Sequence, residues 1–187
     1  MTALVETIKQ LAGESADQII SYRRHLHANP ELSFEEINTS AFVADILKGM
    51  GMDPKPMAET GLVAYIEGVN PEKNTIALRA DMDALPIQEK NQVPYKSTNP
   101  GVMHACGHDV HTASLLGAAG ILNQLTSSFE GTIKLIFQPG EEKIPGGASL
   151  MINEGVLDNP KVEHIIGQHV MPLIDVGKVG FRPGMYM

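Results

Sequence analysis

Four short apolar runs, each closed by turn residues, alternate along this chain with stretches of helical periodicity. That alternation restricts the fold more than any other feature. Leu62-Val63-Ala64-Tyr65-Ile66, Thr75-Ile76-Ala77-Leu78, Thr132-Ile133-Lys134-Leu135-Ile136-Phe137 and the run 162–170, with Ile165 and Ile166, read as strands. Pro71-Glu72-Lys73-Asn74 is the turn between the first two, and Val176 to Phe181 is read as a fifth strand. A first helix, with Ser15 and Gln18 spaced as a capping box and Ile19, Ile20, Tyr22 and Leu26 as its apolar face, ends at Asn29-Pro30. A second covers Glu35 to Met50, with Phe42, Val43, Ile46 and Leu47 inward and Gly51 as its cap. His111 to Leu125 is a buried helix, and Ala148 to Asn153 a short one stopped by Gly155. Strands alternating with helices predict an α/β fold whose central sheet is mostly parallel. Ligands of such sheets bind beyond the carboxyl ends of the strands.

The bulk properties narrow the partners. At 187 residues and 43% hydrophobic, the chain is long enough for one domain with a sizeable core. It carries 14 basic against 22 acidic residues, a formal net charge of −8, with no stripe of Lys or Arg, which disfavours nucleic acid. No apolar run approaches the roughly 18 residues of a membrane span, and Met1 to Glu6 lacks the basic-then-apolar pattern of a signal peptide. The single cysteine, Cys106, excludes an intrachain disulfide and suits a reducing cytosol. A cytoplasmic protein without a membrane partner is expected. The ten methionines read as core filler.

Several polar residues sit where an α/β sheet places chemistry. Met103-His104-Ala105-Cys106-Gly107-His108-Asp109-Val110-His111 concentrates thiol, imidazole and carboxylate, the donors of transition-metal sites. Taken alone, a Cys-x-His pair is better read as a polar loop with a buried cysteine. It precedes a helix, whose dipole would favour the thiolate of Cys106. Asp81 and Asp83 follow the second strand, Glu141 and Glu142 the third, and His169 closes the fourth. Successive side chains of an extended segment diverge, so one of Glu141 and Glu142 can bind a metal while the other faces substrate as a general base. An isolated Glu-Glu pair is more often a solvated turn. Asp81 and Asp83 share a face and can orient ligand histidines, or equally form an Asp-rich turn. His104 and His111 flank the Cys-His pair, and one or both are expected to support its ligands rather than bind the metal. A lone strand-end histidine such as His169 is more often structural than ligating. His25 and His164 read as structural only, and His27 nearly so.

The ordered motifs Arg23-Arg24-His25-Leu26-His27-Ala28-Asn29-Pro30-Glu31-Leu32, Arg79-Ala80-Asp81-Met82-Asp83-Ala84-Leu85-Pro86, Met103 to Ala113, Gln138-Pro139-Gly140-Glu141-Glu142 and Gly167-Gln168-His169-Val170 resemble the metal-dependent amidohydrolases of the aminoacylase/carboxypeptidase superfamily. The nearest branch holds hippurate hydrolases, N-acetyldiaminopimelate deacetylases and auxin–amino-acid conjugate hydrolases. The resemblance implies a three-layer α/β/α zinc-peptidase-like domain, of which residues 1–187 are the N-terminal portion. It implies two divalent ions, manganese or zinc, on Cys106, His108, Glu142 and His169. Glu141 would be the general base, with Asp83 beside it in the catalytic set and Asp81 in support. The substrate would be a small N-acyl amino acid, cleaved to a carboxylate and an amino acid. Family members are about twice as long. After the equivalent of Pro183-Gly184-Met185 they add a lid domain and a last histidine ligand. Four ligands for two ions leave one position expected empty, weak or water-filled, and an uncovered core favours a homo-oligomer. The alternatives are a metal-binding fragment without turnover and a di- or aminopeptidase of the same superfamily.

Overall fold

The strand at the centre, β4 (Thr132–Gln138), is buried at all seven positions, as its unbroken apolar run requires of a strand covered on both faces. The structure is a computed structural model that describes residues 2–181 and 183–184. Ile133, Leu135 and Phe137 point to one face. There they pack with Leu62, Ala64 and Ile66 of β2 (Gly61–Glu67), Ala80 of β3 (Thr75–Asp81), Val43 and Leu47 of α2 (Ile37–Gly49), and Leu115, Leu116 and Ala119 of α3 (His108–Gln124). Ile136 points the other way, to Val63, Ala77, Val156 and Met151 of α4 (Gly147–Asn153). Helices thus cover the sheet on both sides, and α1 (Thr2–Ala28) lies along α3. These are the three layers expected.

The sheet order is β1-β2-β4-β3-β5, with β1 at Lys55–Met57 and β5 at His164–Gly167. β4, β3 and β5 are parallel, and β1 and β2 add an antiparallel edge. The sheet is therefore mixed, with a parallel centre. The buried Lys134 on β4 donates to the carbonyls of Val156 (2.8 Å), Asp158 (2.7 Å) and Pro160 (3.0 Å), and this pins the turn after α4.

Several boundaries differ from expectation. α1 is continuous from Thr2, and Ser15 lies inside it, its hydroxyl donating to the Leu11 carbonyl rather than capping a helix start. α3 begins three residues early, at His108. β1 gave no apolar run to find. The fourth predicted strand shrinks to four residues, because its ladder to β3 spans only Ile76 to Arg79. No strand forms over 176–181, where no described residue pairs with it in a ladder. Met185, at the expected lid junction, lies outside the described residues. Among the described residues, no helix is long and apolar enough to cross a membrane.

Candidate metal centre

The carboxyl ends of β3, β4 and β5 meet the start of α3, and the polar residues marked in the sequence converge there. Among the described residues, His108, the first residue of α3, belongs to all three clusters of donors able to hold a metal: Cys106–His108–His169, Asp81–His108–His111 and His108–Glu141–Glu142. Its ring is 1% exposed. Nδ1 donates to the Asp83 carbonyl at 2.9 Å and lies 3.2 Å from Asp83 Oδ1. That fixes the tautomer and leaves the lone pair on Nε2, which is buried and has no hydrogen-bond partner. Around it stand Asp81 Oδ2 at 3.7 Å, Glu142 Oε1 at 3.9 Å and Glu141 Oε2 at 4.0 Å. Across the site, Cys106 Sγ is 3.4 Å from His169 Nε2. Donors about 2.1 Å from a shared tetrahedral ion stand about 3.4 Å apart, so these spacings fit a metal.

The other two histidines divide. His169 Nδ1 donates to the Val170 carbonyl at 2.7 Å, which turns Nε2 toward Cys106. His111 is fully used: Nδ1 donates to Asp81 Oδ1 at 2.6 Å, and Nε2 accepts the Val170 N–H at 2.9 Å. It holds the backbone beside His169 rather than presenting a free donor. Gly107 permits that approach. It has φ +93°, and a Cβ there would lie 2.3 Å from Val170 Cγ2.

Asp83 sits behind His108 and does not open to substrate. It accepts from Ser33 Oγ at 2.6 Å and from the Glu142 N–H at 2.9 Å. Burial opposes its charge, but the hydrogen bonds from His108, Ser33 and the Glu142 backbone win and hold its pKa at about 2. Asp81 is held below the carboxylate range in the same way, burial being outweighed by His111 and Arg79. His108 is raised because Asp83 outweighs burial. Cys106 differs from expectation. Burial, then the neighbouring Glu142, Asp81 and Glu141, push its thiol up to about 12, so local carboxylates outweigh the helix dipole. Its thiolate needs a cation, as this gathering of carboxylates itself does. His104 is buried with neither ring nitrogen partnered, and burial lowers its pKa to about 4, so it is neutral.

The Glu141–Glu142 loop is anchored by a residue the sequence did not flag. Glu36, fully buried, accepts the Gly140 N–H at 2.7 Å and the Thr60 hydroxyl at 2.6 Å. Gly140 has φ +53° and packs on the Phe34 ring, where a Cβ would sit 2.4 Å away. Ser33 and Glu36 lie just past the first motif, and that adjacency was the available signal.

An α/β sheet that gathers imidazole, thiol and carboxylates at its strand ends defines a class of metal-dependent hydrolase folds. Within it, residues 77–186 match peptidase family M20/M25/M40, and the chain belongs to that family. It is 46% identical over 183 residues to an N-acyl-L-amino acid amidohydrolase of Geobacillus stearothermophilus, covering 97% of this chain and 49% of that protein. It is 50% identical over 171 residues to an N-acetyl-L-cysteine deacetylase of Bacillus subtilis, covering 91% and 40%. In structure it is similar to the YXEP protein of Bacillus subtilis, a dinuclear metal-binding peptidase of the M20 family. The TM-score is 0.84 and the identity 42%, over 90% of this chain and 47% of that one. The chain thus spans about half the length of the relatives it matches.

Proposed function

We propose that residues 1–187 form the N-terminal portion of the catalytic domain of a metal-dependent amidohydrolase that cleaves small N-acyl amino acids. The partnerless Nε2 of the buried His108, facing carboxylate, thiol and imidazole donors, is the observation that carries this reading. Cys106, His108, Glu142 and His169 would hold two divalent ions, zinc or manganese, with Asp81, Asp83, His104 and His111 in support. When bound, such ions polarise a carbonyl and lower the pKa of water. Glu141 is the base: its carboxylate is 42% exposed at the rim, 4.0 Å from His108 Nε2. It accepts a proton from the attacking water and returns it to the leaving amine as the C–N bond breaks, giving a carboxylate and a free amino acid. Asp83 fixes His108 and the Glu142 backbone, so its contribution to catalysis is placement. The activities for which the two relatives above are named support the N-acyl substrate class. A thiol ligand suits the reducing cytoplasm.

The test is hydrolysis of N-acetyl- and N-benzoyl-amino acids by the chain loaded with zinc or manganese, with dipeptides as competitors. Glu141→Gln should abolish turnover and retain metal. Preference for dipeptides would assign a peptidase instead. Metal binding without any turnover would favour the second reading, a metal-binding piece that needs further chain. The half-length match to its relatives motivates that reading, as does the exposure of the apolar side chains of Ile165, Ile166 and Phe181, which a homo-oligomer would cover. Light scattering of the purified chain measures that association.

A further inference from the structure

Behind the metal centre lies a second buried cluster that the proposed chemistry does not use. His27, in the last turn of α1, is 4% exposed. Its Nδ1 is 2.7 Å from Asp109 Oδ2 and its Nε2 is 3.1 Å from Glu89 Oε1. Asp109 and Glu89 are 1% and 2% exposed. Glu89 also accepts the Ser97 N–H at 2.6 Å and the Asn91 amide at 3.1 Å, and Arg23 Nε lies 2.9 Å from Asp109 Oδ2. With the Arg23 guanidinium at Asp109 and the Ser97 and Asn91 N–H groups at Glu89, both carboxylates are surrounded by donors and act as acceptors. An ionised carboxylate only accepts, so each ring nitrogen of His27 must donate, and only the imidazolium carries two N–H groups. Arg23 Nη2, itself only a donor, stands 3.3 Å from Nδ1 and opposes the charge on His27, Tyr95 stands edge-on at 5.6 Å, and the His104 ring is 6.5 Å away. Arg23 and His27 then balance Asp109 and Glu89. A neutral His27 would leave a buried carboxylate uncompensated.

The location gives this clamp a consequence. Asp109 follows His108 directly, in the first turn of α3 and just past the Gly107 turn. The bond from α1 to Asp109 therefore sets where the His108 ring enters the site. The bond to Glu89 ties the same ring to the connection between β3 and α3, well upstream of the one proposed ligand on it, Cys106. We infer that His27 is a positioning residue for the metal centre, an imidazolium whose bond to Asp109 seats the N-terminus of α3 and so aims His108. The consequence for metal rests on the function proposed above; the seating of α3 does not.

The two bonds can be cut separately. His27→Asn places an amide N–H where Nδ1 was and keeps the Asp109 bond; His27→Gln places one where Nε2 was and keeps the Glu89 bond. Both remove the same buried cation. In the metal-free chain, amide hydrogen exchange over 108–111 should accelerate about tenfold in the Gln variant and stay near wild type in the Asn variant. Affinity for Co²⁺ should fall about tenfold or more in Gln and hold within about threefold in Asn, the scale of losses when ligand supports are cut. Nitrogen-15 NMR of the unaltered chain should find both His27 nitrogens protonated. Asn and Gln variants alike in exchange and in Co²⁺ affinity, or a single ring N–H on His27, would overturn the assignment. If the unaltered chain binds no Co²⁺, the proposed function falls, while exchange and NMR still decide the role of His27.

Discussion

The ends of β4 and β5 both deliver residues to the candidate centre, yet they rest on different supports. β4 is buried along its length, its central Lys134 is tied to three carbonyls, and its outgoing loop is anchored by Glu36 and Asp83. β5 is exposed at all four positions, with Ile165 54% and Ile166 58% open. Its outgoing segment reaches the centre through the Val170 N–H to His111. The difference separates the centre into two parts. His108 and the glutamate pair are preorganised by the core, whereas His169 arrives on a strand that the described residues leave largely uncovered.

The largest expected effect tests that separation through stability. Phe137→Ala should cost about 3–5 kcal/mol in chemical denaturation, whereas Ile166→Ala, on an exposed strand, should cost within about 0.5 kcal/mol. Equal losses would mean that β5 is part of the same cooperative core. Next, His108→Ala should weaken divalent-metal binding by more than about 100-fold in calorimetry, beyond the 10–100-fold typical of residues that only support a ligand. A smaller loss would move the centre elsewhere. His169→Ala should weaken binding only about tenfold and leave the denaturation midpoint unchanged, as befits a donor on an exposed segment.

The smallest effect is a pH dependence confined to the buried side. His27 is raised above its ordinary value of 6.5 by its hydrogen bond to Asp109, against burial. Its contribution is therefore full below about 6.5 and is lost as pH rises through the folded-state value. Asp83, held at about 2 against 3.8, contributes above 3.8 and loses its share as pH falls toward 2. Denaturation midpoints measured across pH should decline on both sides, and His27→Asn should flatten the alkaline limb alone.

Most of this contrast was legible along the chain only on the β4 side. The unbroken run Thr132 to Phe137 declared a strand covered on both faces, and Asp81, Asp83, Glu141, Glu142 and His169 stood where strand ends place chemistry. The pairing order was not legible, since β3 and β2 both flank β4 from distant sequence. Nor was the extent of β5, because the run 162–170 carries no break at Gly167, where the ladder to β3 ends opposite Arg79. His27 read as nearly structural because Glu89 and Asp109 lie 62 and 82 residues away, and local patterning carries no trace of such contacts. The state of Cys106 was not legible for a related reason. Its helix is adjacent in sequence, but the carboxylates that dominate it come from β3 and from the loop after β4.

The most direct test of the central claim is an absorption titration of the purified chain with Co²⁺. A saturable thiolate-to-cobalt band should appear, and it should disappear in Cys106→Ser and in His108→Ala while both variants remain folded. A folded chain that takes up no Co²⁺, or a band that survives loss of His108, would contradict that claim.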